Sequence, residues 1–220
     1  MKYLNSSKYS ILVLLLNFVP TVLLYSVGTV FRGNSLITTT ADLHFLTSVT
    51  SLASDAFRQC TALRIIDLPN NITSCAGNYN FAQNHALEEI VSLGGLTSLT
   101  PYFFYNSGYV TQIIIPEGIV SIGDRSFGES GLSAEANKLS YIDLPSTVTT
   151  IGQYICIYRK ITAFVCRAVT PPSLGQRPFY MGTISKIYVP AASVDAYKAA
   201  TTWKDSASKI VQIEGTIYER

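Results

Sequence analysis

The sequence has little charge, and the charge that it has is nearly balanced. Charged side chains make up 14% of the 220 residues, and the formal net charge is +2. A strongly basic surface is therefore lacking, which argues against nucleic acid as the partner. Apolar residues make up 48% of the chain, so the composition also argues against a disordered protein.

Residues that hold metals or carry out catalysis are scarce as well. The two histidines, His44 and His85, lie outside any zinc-binding or catalytic motif. The cysteines lack the short paired spacing of a zinc site, so neither a metal nor a cofactor is expected. They stand where neighbouring repeats place apolar residues, which favours buried free thiols over disulfides. The cysteines are Cys60, Cys75, Cys156 and Cys166.

Residues 1–25 differ in composition from the rest of the chain. Two lysines precede the apolar run of residues 11–25, an order that is typical of a secretion signal. Asn17 and Pro20 interrupt this run, and it is too short for a stable membrane span, which needs about 20 apolar residues. A secretion signal is the first interpretation. Capping strands or a helix of the folded region are the second, and a membrane anchor is the third.

A short phrase of the form L-x-x-I-x-L-P recurs along the chain. The copies lie about 23 residues apart, except where residues 128–138 lengthen one interval and indicate an enlarged loop. A second phrase, such as VTSL from Val49, accompanies the first, and an aromatic residue or a cysteine comes a few residues later. The first phrase begins at Leu63, Leu87, Val110, Leu139, Ile161 and Ile184. The aromatic column consists of Phe57, Phe81, Phe104, Phe127 and, in the fifth copy, Cys156.

The alternation inside each phrase predicts a short strand with one apolar face. A single copy cannot bury this face, so the copies must stack into a repeat solenoid of short β-strands, loops and short helical turns. Proline follows four of the phrases and has no amide hydrogen, which ends strand pairing at the same point in each coil. The predicted parts are an N-terminal cap with a partial repeat at 26–62, repeats at 63–183, and a last strand with a C-terminal cap at 184–220.

The C-terminal region predicts a short helix that covers the last repeat. Ser193 is a favourable residue at the start of a helix, and Asp195 places a negative charge in the first turn, where the helix dipole favours it. Val194, Tyr197 and Trp203 have a spacing that lays one side of this helix on the last coil. We therefore interpret Trp203 as a packing residue rather than as a ligand-stacking one.

These repeats closely resemble the BspA-like leucine-rich repeats. The nearest copy is DAFRQCTALRIIDLP at residues 55–69, and the resemblance covers roughly residues 27–213, including a C-terminal end like that of proteins from Bacteroides-type gut bacteria. The resemblance implies a curved, right-handed leucine-rich-repeat coil without catalytic residues, exposed at the cell surface or secreted, that acts in adhesion. Some gut-phage proteins carry similar repeats, so a structural role in a virion decoration or fibre is the alternative.

The outward positions of the strand phrases form parallel columns, which we take as the candidate surface for a protein or a cell-surface glycan. Tyrosines among small polar residues suit such contacts, because tyrosine offers contact area at little entropic cost. The same residue types also suit any exposed sheet, so a purely structural role is the alternative. The candidate binding residues are Arg64, Asp67, Glu88, Glu89, Gln112, Ile114, Tyr141, Asp143, Lys186 and Tyr188.

A carbohydrate-active enzyme is the least favoured function. Asp67 and Asp143 share one outward column, and two carboxylates can act as an acid and a base on a sugar bond. They stand three coils apart at about 4.8 Å for each step, with Val91 and Ile114 expected between them. This separation is too long for a retaining pair, so we expect no enzyme.

Overall fold

The chain forms a parallel β-solenoid. The computed structural model describes residues 26–27, 31–107, 109–131 and 138–219, and within them the chain makes about seven turns with little helix. The strand pairings in these residues are parallel, because successive coils stack in the same direction. The predicted repeat solenoid is confirmed.

Each coil places one longer strand on a surface that we call the long-strand face. Proline follows several of these strands directly, as at Pro69, Pro145 and Pro190, and ends the pairing there because it has no amide hydrogen. The strands of this face are β3 (Ile65–Leu68), β5 (Glu89–Leu93), β7 (Gln112–Ile114), β9 (Tyr141–Leu144), β11 (Lys160–Cys166), β13 (Thr183–Val189) and β14 (Ile210–Gln212).

A second surface, the short-strand face, carries the two-residue strands of the second repeated phrase. Apolar residues such as Leu52, Leu99 and Ile151 end these strands and are buried, so this face also closes over the core. The strands of this face are β1 (Ser26–Val27), β2 (Ser51–Leu52), β4 (Ser74–Cys75), β6 (Ser98–Leu99), β8 (Ser121–Ile122), β10 (Thr150–Ile151) and β12 (Ser173–Leu174).

The register of the long-strand face aligns the apolar residues of successive coils. One inward column pairs across five neighbouring strands and is buried throughout, which confirms the predicted one-sided burial. Each such side chain contributes about 1.5–3 kcal/mol by leaving water, and this contribution recurs at every coil. The members of this column are Ile113, Ile142, Phe164, Ile187 and Ile210.

The aromatic column lies in the segment that runs from each short strand to the next long strand. Its phenylalanine rings are buried and stack along the solenoid, and the ring centroids of Phe57 and Phe81 are 5.2 Å apart. Phe31 extends the column by one coil, and Cys156 continues it as a buried residue. The predicted aromatic column is therefore confirmed.

Buried hydrogen-bond donors stand three residues after the aromatic column. The Cys60 thiol donates to the carbonyl of Phe31 over 3.0 Å, and Arg159 Nε donates to the carbonyl of Phe127 over 2.9 Å. Arg159 also forms an ion pair with Glu129, with 3.2 Å between Nη1 and Oε2, and both side chains are almost fully buried. The residue types differ from coil to coil, but they satisfy buried carbonyls at the same place.

The four cysteines are free thiols. Cys60, Cys156 and Cys166 are fully buried, as predicted, and Cys75 is half-buried. Burial raises the pKa of Cys60 and of Cys166 to about 11. These thiols are therefore protonated near neutral pH and act as small packing groups.

The predicted C-terminal cap is built around a short helix, α1 (Val194–Ala199). Tyr197 and Trp203 are buried, and each donates a hydrogen bond to a backbone carbonyl of the preceding turn. Ser193 precedes the helix as predicted, but its hydroxyl does not cap it. The hydroxyl donates to the carbonyl of Val169 over 2.6 Å and ties the start of the helix to the previous coil.

Two features of the sequence fall partly or wholly outside this description. The predicted secretion signal, residues 1–25, lies outside the described residues, as do residues 132–137 of the predicted insertion. Within the part of the chain that is described, we find no helix with the length and apolar character needed to span a bilayer.

Candidate binding surface on the long-strand face

The register of the long-strand face aligns two of the predicted outward columns. These columns differ in exposure along the solenoid, so we divide the face into an open half, formed by β3, β5 and β7, and a covered half, formed by β9, β11 and β13. One column consists of Gln112, Tyr141, Ala163 and Lys186, and the other consists of Ile114, Asp143, Val165 and Tyr188.

The open half contains a β-bulge that the sequence pattern did not predict. Ile66 pairs with Ile90, but the next residue, Asp67, pairs with Ser92, so Val91 is an extra residue in β5. The expectation that Val91 shares the column of Asp67 is therefore wrong. The Val91 side chain is 55% exposed, and the bulge places this apolar group on the surface.

Charged side chains surround this bulge. Arg64 and Glu88 lie on neighbouring coils and form an ion pair with 2.6 Å between Nη2 and Oε2, although both side chains are more than half exposed. The hydrogen bond from Arg64 lowers the pKa of Glu88. Glu89 is exposed on β5, the strand that contains the bulge, and Gln112 is exposed on β7.

Asp67 stands near the N-terminal end of the open half. Its Oδ1 lies 3.3 Å from Nε2 of His44. The Thr40 hydroxyl accepts a hydrogen bond from the Asp67 amide over 2.8 Å and donates one to its carbonyl over 3.0 Å. These bonds hold the following 3₁₀ segment, Ala41–Phe45, beside β3, and Phe45 in this segment is 75% exposed.

Asp143 does not face solvent, which corrects the expectation for this candidate residue. It is 1% exposed, and Arg167 binds both of its carboxylate oxygens over 2.8 and 2.7 Å. The Tyr141 hydroxyl also donates to Asp143, over 2.7 Å. The buried carboxylate therefore holds the side chains of Tyr141 and Arg167 in place in the covered half. The hydrogen bond that Arg167 donates to Asp143 raises the pKa of Arg167.

A C-terminal segment that we call the tail, residues 213–219, lies over the covered half. The ring of Tyr218 stacks on Tyr141 and packs against Tyr188. Ala163 and Val165 point outward from the intervening strand, β11, and are nevertheless 1% and 0% exposed. Of the candidate residues on β9 and β13, Lys186 alone is exposed.

The described side chains of this surface offer polar and apolar contacts. Among the residues that the structure describes, no group of three or more histidine, cysteine or acidic side chains could hold a metal ion. Asp67 and Asp143 lie on opposite halves of the face, and Asp143 is engaged by Arg167. The surface offers apolar groups, carboxylates and hydrogen-bonding side chains on a rigid set of strands.

Sequence reasoning missed a second ordered surface, which we call the turn face. The residues two positions before the aromatic column have left-handed backbone conformations, with φ between 54° and 61°. This conformation costs a non-glycine residue about 1–2 kcal/mol, but it directs amides to the next coil, as when the Tyr102 amide donates to the Asp124 carbonyl over 2.8 Å. The residues at this position of the repeat are Asp55, Tyr79, Tyr102, Arg125 and Tyr154.

Side chains of the turn face stack on one another along the solenoid. The rings of Tyr79 and Tyr102 are 4.4 Å apart, and Arg58 lies 4.7 Å from the centre of the Tyr79 ring. Arg125 lies over both Tyr102 and Tyr154, at 5.6 and 5.1 Å. Because neighbouring side chains already occupy these ring faces, the turn face acts as a brace between coils. A tyrosine or an arginine two positions before four of the five members of the aromatic column is the sequence signal that could have predicted this face.

Comparison with known proteins agrees with this architecture. The family described as "BspA type Leucine rich repeat region" matches in six copies, over residues 30–162 and 134–207. The structure is similar to a leucine-rich repeat protein from Bacteroides ovatus ATCC 8483, with a TM-score of 0.51 and 14% sequence identity. That match covers 76% of this chain and 50% of the other one, and at this identity it shows the fold alone. No curated protein matches the sequence significantly.

The family match covers most of the described solenoid. Repeats of this family are typical of protein-interaction modules and are typically not enzymes. The chain belongs to the family of BspA-type leucine-rich repeat proteins.

Proposed function

We propose that this chain is a binding module of a surface-exposed or secreted protein, and that it acts in adhesion to another protein through the open half of the long-strand face. Six of the candidate residues belong to this half, and four of them lie on or directly before β3 and β5, the two strands that pair at the bulge. The six are Arg64, Asp67, Glu88, Glu89, Gln112 and Ile114.

The exposed side chain of Val91 is the observation that carries this proposal. The bulge moves this valine out of the regular register, to 55% exposure, while Leu93 on the same strand stays buried. β-Bulges commonly redirect a side chain toward a functional surface. An apolar group within a polar rim is the usual arrangement of a protein-binding surface.

The charges of the open half favour a partner with basic side chains. Asp67, Glu88 and Glu89 provide three carboxylates, and Arg64 offsets one of them through its ion pair with Glu88. Complementary charge around an apolar contact increases the rate of association and selects among partners. A protein surface that offers apolar side chains next to lysine or arginine therefore fits this half.

Site-specific photocrosslinking tests the proposal. A photoreactive phenylalanine derivative is placed at Val91, and the protein is exposed to surface extracts of cells from its natural environment. We expect one or a few proteins to be crosslinked from Val91. Placing the same group at Val169 provides a matched control, because this valine is 69% exposed but lies beyond the end of β11.

Charge substitutions then connect the crosslink to the surface. The variant Glu89→Lys should weaken formation of the crosslinked product about tenfold or more, because it places a repulsive charge beside the contact. Equal crosslinking from Val91 and Val169, or no effect of Glu89→Lys, would contradict binding through the open half.

The proposed location is tested by the mass of the native protein. We expect the protein in secreted or surface fractions to lack about the first 25 residues, the length of a secretion signal. Recovery of the chain beginning at Met1 from an intracellular or particle fraction would contradict secretion, and would leave the contact at Val91 to be judged by crosslinking alone.

A further inference from the structure

Beyond Glu214, the tail contacts the covered half mainly through one aromatic side chain. The centroid of the Tyr218 ring lies 5.3 Å from that of Tyr141, with 21° between the ring planes, and 4.6 Å from that of Tyr188. Tyr141 belongs to β9 and Tyr188 to β13, so the Tyr218 ring bridges the strand between them. This position explains why the outward side chain of Val165 on β11 is fully buried.

One backbone contact fixes the tail beside this ring. Arg167 Nη2 donates to the carbonyl of Tyr218 over 2.9 Å. The same nitrogen also donates to Asp143 Oδ2 over 2.7 Å, so the guanidinium is held by the solenoid while it binds the tail. A fixed donor beside an aromatic cleft recognises an aromatic residue together with its own carbonyl.

The walls of the cleft are held by bonds within the solenoid. Tyr141 and Arg167 both bind Asp143, and none of these three residues belongs to the tail. The cleft therefore keeps its shape when the tail leaves, as a preformed binding site does. The aliphatic side chain of Val165 would then form its exposed floor.

The rest of the tail contributes little to this contact. Ile217, next to Tyr218, is 90% exposed, and Glu219 is also exposed. Hydrogen bonds inside the tail close it into turns, as when the Gly215 amide donates to Glu219 Oε2 over 2.8 Å. The start of the tail is anchored separately, since the Ile213 amide donates to the Val189 carbonyl over 2.9 Å and Glu214 Oε2 accepts from the Ala191 amide over 2.8 Å. Beyond Glu214, the tail is attached to the covered half by one ring and one carbonyl, and a competing segment needs to replace only these two contacts.

We propose that the cleft formed by Tyr141, Val165, Arg167 and Tyr188 is a recognition site for a tyrosine-bearing segment of another protein, and that Tyr218 fills it in the same chain. The site lies on other strands than the open half and does not depend on binding there. Tyr218 acts as an internal competitor, since a segment tethered close to its site has an effective concentration of the order of millimolar. A partner segment must therefore displace the tail, and its apparent affinity is reduced by this competition.

A peptide with the sequence of residues 213–219, labelled with a fluorophore, is the probe for this site. Fluorescence anisotropy measures its binding to the unaltered chain and to the Tyr218→Ala chain. We expect the Tyr218→Ala chain to bind the peptide about tenfold or more tightly than the unaltered chain, because the internal competitor is gone. The Ile217→Ala chain is the matched control, and it should behave like the unaltered chain.

Changes in the peptide test what the cleft recognises. A peptide with alanine in place of tyrosine should not bind. A peptide with phenylalanine should keep most of the affinity, because ring stacking provides most of it. A Tyr218→Ala chain that folds but binds no peptide at millimolar concentration would overturn the proposal. So would dimers of the unaltered chain that depend on Tyr218, since the occupant would then be a second copy.

A second route keeps the test decisive if Tyr218→Ala does not fold. Carboxypeptidase removes the tail from the unaltered, folded chain, and the same peptide is then added. Binding that appears only after removal of Tyr218 supports the proposal. Unchanged anisotropy after complete removal, with the circular dichroism of the folded chain retained, overturns it.

Discussion

The open and covered halves of the long-strand face are built from the same repeat, yet they present opposite surfaces. In the open half, Val91 and Glu89 are exposed, and the ion pair between Arg64 and Glu88 stands in solvent. In the covered half, Asp143 is buried beneath the tail. The repeat therefore fixes where a side chain stands on the coil, and its neighbours decide whether that position is available to a partner.

Single-residue deletions should separate the two halves most strongly. Deleting Val165 shifts the register between β11 and its two neighbouring strands by one residue and displaces buried side chains such as Cys166, so we expect no cooperatively folded protein. Deleting Val91 removes a bulge residue, and we expect the free energy of unfolding to change by no more than about 1 kcal/mol. Urea denaturation followed by circular dichroism measures both. Equal damage from the two deletions would show that the bulge is required for folding.

Alanine substitution of the two aspartates should give the next largest difference. Asp143→Ala leaves Arg167 without its carboxylate partner beneath the tail, and we expect a loss of about 3 kcal/mol. Asp67→Ala removes a partly exposed contact with His44, and we expect a loss below about 1 kcal/mol. The midpoints of urea denaturation at equal slopes provide the comparison, and losses of the same size would contradict it.

Salt should distinguish the ion pairs of the two halves. A double-mutant cycle for Arg167 and Asp143 should give a coupling free energy of about 2 kcal/mol that changes little at about 1 M salt, because the pair is shielded from solvent. The Arg64 and Glu88 pair stands in solvent, so its coupling should vanish at the same salt concentration. A salt-sensitive Arg167 pair would indicate that the tail does not shield it.

Thiol labelling should show the smallest difference, a several-fold ratio of rates. The sheets are interrupted between β5 and β7 and between β4 and β6, so we expect the first coils to open more often than the later ones. Cys60 and Cys166 are both buried, and both have a pKa of about 11, so their labelling reports opening rather than acidity. Mass spectrometry after alkylation should find that Cys60 is labelled before Cys166. Both rates should rise with pH, because the thiolate is the reactive form.

Much of the fold could be predicted from the sequence because the same pattern of apolar core residues recurs in every coil. The inward column that contains Ile142, Phe164 and Ile187 was predicted by the alternation of apolar residues and is buried in register. The bulge could not be predicted in the same way. The segment around Val91 keeps the overall spacing of the repeats, so the extra residue in β5 has no signature in the period.

The candidate site shows the same limit. From β7 to β13, the register aligns the outward columns that contain Gln112 and Ile114 as predicted, whereas the bulge removes Val91 from the second of them. Asp143 occupies the predicted column, but its burial depends on Arg167, 24 residues later, and on Tyr218, in the tail. No period connects these three residues. Their contact follows from how the chain returns over the solenoid after its last strand.

The sequence by itself determined the period, the apolar core and the family of this protein, because stacked coils require the same apolar residues at the same place in every copy. It also determined the buried cap, since the last coil needs Tyr197 and Trp203 to keep water from its core. Only the tertiary structure decided which outward residues are available to a partner. Exposure depends on side chains that meet across coils and on where the tail lies, and a local pattern contains neither.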